Sequence, residues 1–350
     1  MKMNKGVKYF GAALVLYSLV FGLLVPLKPG VLTVSPFNIK TGKENKIEVT
    51  GYNTHFKSSS QLEVYLKLDD RQFLKASEIN KIGDTKLEAS FNIPRFLNSK
   101  EELIDVVLIV NSDLDGAIVK PSAVSIKQDS INVSEAQKLV NYIEVPKLSK
   151  HNSFSFPYRL ILEETIRNVY YHVPLWFAML VLFAYSVWGS WKYLKTRENK
   201  YDHIAVSSTT VGIILGILGL LTGAIWAKHT WGQYWSGDIK QNMTAISLLI
   251  YLAYFVLRSS LDDDLKRNTL SAVYNIFAFT ALIPLIFVIP RLTDSLHPGN
   301  GGNPAIGGED LDNSMRMVFY PACIGWIIVS LWIADVYRRI LNLEKRNLEI

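Results

Sequence analysis

The stretch Ile204–Ala227, IAVSSTTVGIILGILGLLTGAIWA, contains no Asp, Glu, Lys or Arg. As a helix rising 1.5 Å per residue it is long enough to cross the roughly 30 Å hydrocarbon layer of a membrane. Five further stretches have the same character: Tyr9–Leu27, Val173–Trp191, Gln241–Leu257, Asn268–Pro290 and Met317–Ala334. Short loops join the last five spans, whereas a long polar tract separates the first span from the second. The pattern predicts a membrane all-α protein of six helices, with a β-sandwich of immunoglobulin-like type inserted between helices 1 and 2. The expected organisation is an N-terminal transmembrane anchor at 1–28, an external β domain at 29–150 and a five-helix membrane domain at 151–350. No clear small-x-small cleavage site precedes Lys28, so the first span reads as an uncleaved anchor rather than a signal peptide.

The chain of 350 residues is 49% hydrophobic and 19% charged, with a formal net charge of +6. That apolar content excludes disorder, and the lone Cys323 excludes a disulfide scaffold. No Cys-x-x-Cys-His, Gly-x-x-x-x-Gly-Lys or His-Glu-x-x-His motif occurs, which argues against covalent c-type haem, ATP hydrolysis by this chain and a zinc enzyme. The basic excess gives no case for nucleic acid, because it is an orientation signal. Lys2, Lys5 and Lys8 precede span one, and Lys192, Lys195, Arg197 and Lys200 follow span two. Arg258, Lys266 and Arg267 follow span four, and Arg338, Arg339, Lys345 and Arg346 follow span six. Both termini are therefore expected in the cytoplasm and the polar tract outside. The short outer loops carry only Lys228, Lys240, Arg291 and Arg316.

The polar tract alternates with period two in Lys46–Thr50, Gln61–Leu68 and Lys86–Ile93, placing one face of each strand in a core. Val106–Val110 and Val124–Lys127 add strands. Turn chemistry falls at Asn53, Asp69-Asp70, Gly83-Asp84 and Asp113-Asp115-Gly116. About seven short strands over such a length indicate a small sandwich. Nothing in it looks catalytic. Ser134–Arg167 is expected to lead back to the membrane, partly as helix.

Unusual residues collect at the outer ends of the spans. His172 opens span two, His229 follows span three and His297 follows span five. Between these histidines runs Thr222-Gly-Ala-Ile-Trp-Ala-Lys-His-Thr-Trp-Gly-Gln-Tyr-Trp-Ser-Gly-Asp238, with Trp226, Trp231, Tyr234 and Trp235 inside ten residues. Aromatic residues at a membrane surface ordinarily form a belt, but four rings interleaved with Gly223, Gly232 and Gly237 are denser than a belt requires. Indole and phenol faces suit a flat ligand, and cations of the outer loops suit an anionic one. Two imidazoles, an aromatic shelf and nearby cations describe a haem site. An aromatic-lined quinone or lipid site remains the physical competitor. His55, His151 and His203 read as caps or surface residues, Asp262-Asp263-Asp264 as a solvated loop and Glu163-Glu164 as exposed.

The segment Trp226-Ala227-Lys228 … Trp231-Gly232-Gln233-Tyr234-Trp235-Ser236-Gly237-Asp238 resembles the tryptophan-rich "WWD" signature of haem-handling proteins in cytochrome c maturation. Tyr171-His172-Val173-Pro174 resembles the His-Val-Pro element of that superfamily. Leu296-His297-Pro298-Gly299, Ser314-Met315-Arg316 and Leu343-Glu344-Lys345-Arg346 resemble elements of the CcmC family. The resemblance covers roughly residues 163–346 and keeps the elements in order. It implies a haem-presenting protein of the inner membrane, not an enzyme, that holds haem b transiently and non-covalently at the external face. It further implies transfer to the haem chaperone CcmE, with the CcmA–CcmB ABC transporter and CcmD as partners and membrane lipid around the helices. On it, His172 and His297 are the axial iron ligands. Trp226, Trp231, Trp235 and Asp238 form the platform at 226–238, with Tyr234 supplying a neighbouring ring for the missing indole; by their place in the outer loops alone, Lys228, Lys240, Arg291 and Arg316 suit pairing with an anionic ligand. Two departures stand out: Gly237 occupies the place of the usual Trp, and compact members lack the β domain. Alternative readings are a CcsA-like synthetase that joins haem to apocytochrome, or a receptor using the β domain.

Overall fold

The computed structural model describes residues 3–70, 72–139, 146–297 and 311–348. Lys2, Pro298 and Gly299 lie outside the described residues, as do the side chains of Lys345 and Arg346. The chain forms two compact units, one of Pro26–Glu163 and one of Met1–Val25 with Glu164–Ile350.

The first unit is a β-sandwich. Its strands are β1 Gly30–Ser35, β2 Asn38–Lys40, β3 Glu44–Tyr52, β4 Leu62–Lys67, β5 Phe73–Lys75, β6 Glu78–Lys81, β7 Lys86–Asn92, β8 Leu103–Ser112 and β9 Gly116–Lys127. They form one sheet of order β1-β3-β7-β6 and another of order β2-β9-β8-β4-β5. All pairings are antiparallel except β2 with β9. This is the strand order of an immunoglobulin-like sandwich with an extended second sheet. Alternation holds in β3, where Ile47 and Val49 are buried between exposed Lys46 and Glu48. It fails in β4, where Val64, Tyr65 and Leu66 are all buried. Tyr65 points away from the main core and is covered there by Phe73 and Ile109. The short helix α2, Val133–Leu139, follows the last strand.

The second unit is helical: α1 Lys5–Leu24, α3 Val169–Thr196, α4 Asn199–Trp231, α5 Ile239–Ser259, α6 Asp264–Ile283 and α7 Asn313–Leu348. Among the described residues, six helical segments have the length and composition to cross a membrane. They define a multi-pass membrane protein with an inserted β domain, as the sequence predicts. Leu249, Val256 and Phe277 leave apolar surface exposed on α5 and α6, as a lipid-facing helix must. Arg167 closes the C-terminal end of α1 by donating from Nη1 to the carbonyls of Gly22 at 2.9 Å and Val25 at 2.7 Å.

Two polar clusters inside the bundle join neighbouring helices. Arg258 on α5 makes a two-pronged bond to Asp202 on α4, Nη1 to Oδ1 at 2.8 Å and Nη2 to Oδ2 at 2.9 Å. Its Nη2 also reaches Asn268 Oδ1 on α6 at 3.2 Å. On the facing surfaces of α3 and α6, buried Asn275 donates from Nδ2 to Ser186 Oγ at 3.0 Å and Ser190 Oγ at 2.9 Å. Interhelical hydrogen bonds in membranes contribute about 1 kcal/mol or less each. Asn275→Ala is therefore expected to lower the thermal midpoint of detergent-solubilised protein by a few degrees at most, about 1 kcal/mol.

Helices α3 and α4 pack closely because α4 presents glycines to its neighbour. A Cβ on Gly212 would sit 2.6 Å from the Phe183 ring, one on Gly219 2.7 Å from the Trp176 ring, and one on Gly223 2.8 Å from His172 Cε1. The last two positions make room for the side chains of the site.

Candidate functional site

One end of the bundle gathers the first turns of α3, the last turns of α4, the start of α5 and the segment after α6. The helical path of α4 runs through His229 to Trp231 and stops at Gly232, whose φ of +81° closes the helix. Half of the tryptophan-rich segment is thus helix rather than loop, because nothing before Gly232 breaks it. Residues 232–238 then turn back, with Gly237 at φ +75°. The first turn of α5 staples this loop: Gln241 Oε1 accepts Ser236 N–H at 3.0 Å, and Asn242 Oδ1 accepts Trp235 Nε1–H at 3.1 Å. Beyond α6, Pro284 cannot supply the amide a regular helix needs. The chain continues as a π turn, Pro284–Val288, and a 3₁₀ turn, Ile289–Arg291.

A cavity of about 260 Å³ opens between these elements. His172, Trp176 and Phe177 line it from α3, Gly219 and Gly223 from α4, and Ile286, Phe287 and Pro290 from the segment after α6. Trp235, Lys240 and Gln241 contribute from the loop and α5, and His297 completes the wall. The two histidines, far apart in sequence, therefore share one apolar, ring-lined cavity.

Each imidazole is tied back through Nδ1. For His172, Nδ1 lies 2.9 Å from the Gly219 carbonyl and 3.1 Å from Thr222 Oγ1. The Thr222 hydroxyl itself donates to Leu218 O at 2.9 Å, so the proton belongs to His172 Nδ1. Trp176 Nε1–H donates to His172 Nε2 at 3.1 Å, which fixes the same tautomer from the other side. For His297, Nδ1 lies 2.8 Å from Asp238 Oδ1. Burial drives the His297 imidazole below its ordinary 6.5 and outweighs the Asp238 carboxylate, which acts in the opposite direction. His297 is thus neutral at pH 7, with its proton on Nδ1 and its lone pair on Nε2.

Asp238 is the hub of the loop. Its Oδ1 accepts Lys240 N–H at 2.9 Å and caps α5. Its Oδ2 accepts Ser295 Oγ–H and Leu296 N–H, both at 2.8 Å. Burial works against its charge, but the Ser295 hydroxyl, the Leu296 amide, His297 and the Lys240 amide together hold its pKa below the ordinary 3.8. One carboxylate therefore caps a helix, fastens the segment that follows α6 and orients an imidazole.

The remaining residues singled out by sequence occupy defined places around this centre. Trp231 meets the His297 ring edge-on at 4.7 Å, and Trp226 lies 6.2 Å from it and 5.1 Å from Trp231. These two indoles clasp the histidine, whereas Trp235 faces the cavity. Lys228 bonds the Gly232 carbonyl at 2.9 Å and sits 5.7 Å over the exposed Tyr234 ring. Arg316 reaches Asn313 Oδ1 at 3.4 Å on α7, and Arg291 is exposed. Among the described residues, the cation in the cavity wall is Lys240 rather than Lys228, Arg291 or Arg316. His229 is exposed on the last turn of α4. Trp176, Gly219, Thr222 and Ser295 had no role in the sequence reading. Trp176 was discoverable, since a residue four positions after His172 shares its helix face.

Fold and site together define a multi-pass membrane protein built around a paired-histidine, ring-lined cavity at one end of its bundle. The family model for heme exporter protein C matches residues 152–349, more than half of the sequence, and the chain belongs to that family. The match begins after the sandwich. Heme exporter protein C of Bradyrhizobium diazoefficiens is 28% identical over 193 residues, covering 53% of this chain and 71% of that protein. Cytochrome c biogenesis protein CcsA of Prochlorococcus marinus (strain MIT 9515) is 40% identical over 82 residues, 23% of this chain and 26% of the relative. The same protein of Synechococcus sp. (strain CC9311) is 40% identical over 77 residues. The chain spans about a quarter of the length of these CcsA relatives.

Proposed function

We propose that this protein holds haem b, transiently and without covalent attachment, between His172 and His297 and passes it on during cytochrome c maturation. The observation that carries the reading is the pair of imidazoles on one cavity, each with Nδ1 held by an acceptor, which leaves Nε2 as the nitrogen that would coordinate. A ligand histidine held through its second nitrogen is the usual arrangement at iron and other metals. The donor set fits haem in other respects. Trp235 and Phe177 offer ring faces, and Lys240 offers a cation to a propionate. Haem supplies the iron that accepts the two nitrogen lone pairs. The chain's own residues hold the two imidazoles through Nδ1 and line the cavity with apolar rings beside the Lys240 cation.

The basic residues at the opposite helix ends support an inner-membrane orientation with both termini cytoplasmic. The cavity and the β domain then face the periplasm. There the exposed Tyr234 and Trp235 offer a surface for the chaperone CcmE. The CcmA–CcmB transporter and CcmD would release the loaded chaperone. This is delivery rather than bond-making, so the chain is not an enzyme in this reading. Its local identity to CcsA motivates the alternative of direct ligation of haem to apocytochrome. Expression with and without CcmE separates the two. Delivery predicts no holocytochrome c without CcmE, and covalent product in its absence would establish the synthetase reading.

Room beside His172 is part of the site. Gly223→Ala places a Cβ 2.8 Å from His172 Cε1. Overpacking of this kind costs about 1–3 kcal/mol, so haem affinity measured by absorbance titration is expected to fall about tenfold or more. Unchanged affinity would show that His172 is not held where iron needs it. Gly237 sits at φ +75° with open space around it, so a Trp there meets backbone strain rather than a clash.

A further inference from the structure

We infer that Trp176 is a release latch for the haem ligand His172. The inference rests on the reading of His172 as an iron ligand. Trp176 Nε1–H points at His172 Nε2 from 3.1 Å, on the lone pair that iron would use. A nitrogen lone pair serves one partner at a time, so the indole and the iron compete for the same atom. The indole is held in place: its ring stands edge-on to the imidazole at 5.8 Å, and its ring carbons, Cε2 nearest, pack on Gly219, where a Cβ would come within 2.7 Å. The Gly219 carbonyl that bonds His172 Nδ1 belongs to the same helical position. One turn of α4 therefore positions both the ligand and its competitor.

The two ligands are consequently unequal. The Nδ1 of His297 is bonded to a carboxylate, which strengthens the electron pair on Nε2. The Nδ1 of His172 is bonded to a neutral carbonyl, and its Nε2 has an internal donor ready to replace the iron. On release, the His172 Nε2 electron pair given up by the iron would accept the Trp176 N–H, and His297 would hold the haem until an acceptor takes it. A carrier that must yield its cargo benefits from such a weak second ligand.

The test uses full-length protein loaded with ferric haem and measures transfer to an excess of a haem-scavenging protein. Trp176→Phe, and replacement of Trp176 by 3-benzothienylalanine, which keeps the ring shape without the N–H, are compared with the parent. Both are expected to slow haem loss roughly two- to tenfold, the effect of one neutral hydrogen bond, and to raise the low-spin fraction of the spectrum. In a His172→Ala background the same replacements are expected to change nothing. If His172→Ala speeds haem loss but the isosteric replacement leaves the parent rate unchanged or raises it, the latch is wrong and the ligand assignment stands. If His172→Ala itself leaves haem loss unchanged, the ligand assignment fails, and the latch fails with it.

Discussion

Replacing His297 with alanine is expected to weaken haem binding by two orders of magnitude or more and to convert the iron from low to high spin. On the proposed reading, two imidazoles fixed on one cavity would bind a single iron with a high effective concentration of the second ligand, so each would contribute far more than a lone contact. Removal of either one forfeits that gain. His172→Ala is expected to act in the same direction but less strongly, because its lone pair already has Trp176 as a competitor. The double variant is expected to retain only the stacking on Trp235 and Phe177 and the pairing with Lys240. Absorbance titration of the three variants in detergent reads both effects, and equal affinities throughout would remove the two histidines from the site.

Asp238→Ala is expected to lower haem affinity about a hundredfold without contacting haem at all. Its carboxylate accepts Ser295 Oγ–H, Leu296 N–H, His297 Nδ1 and Lys240 N–H, all between 2.8 and 2.9 Å. Hydrogen bonds to a charged group contribute about 1.5–3 kcal/mol each, and loss of a partner behind a metal ligand typically costs 10–100-fold in affinity. Asp238→Asn separates the roles. Its carbonyl oxygen still caps α5, but its amide can no longer serve every donor, so about tenfold weakening is expected. If Asp238→Ala leaves affinity and spin state unchanged, the carboxylate serves the fold and not the ligand.

The membrane architecture was legible because crossing hydrocarbon demands long charge-free runs, and each of those runs falls on one of the six helices, though α7 continues past Ala334 to Leu348. The sandwich was legible where one face meets water, as in β3, and misread at Tyr65, where a second apolar cluster covers the outer face. His172 and His297 stood out because the chain has only six histidines and these two fall at outer span ends. The role of Asp238 was hidden, since only the return of the chain after α6 brings Ser295 to His297 against it. The loop charges pointed to four cations, Lys240 among them, without ranking them. Lys228 is turned to its own helix end by Gly232, while Lys240, in the first turn of α5, is carried to the cavity wall. Trp176 shares the helix face of His172, but one more indole in an apolar span draws attention only once that histidine is singled out.

The most direct test of the central claim is the low-temperature electron paramagnetic resonance spectrum of the ferric haem complex, taken for the parent and for the His172→Ala, His297→Ala double variant. A low-spin, bis-imidazole signal in the parent that disappears in the double variant is the predicted result. A low-spin signal that survives the loss of both histidines would contradict it.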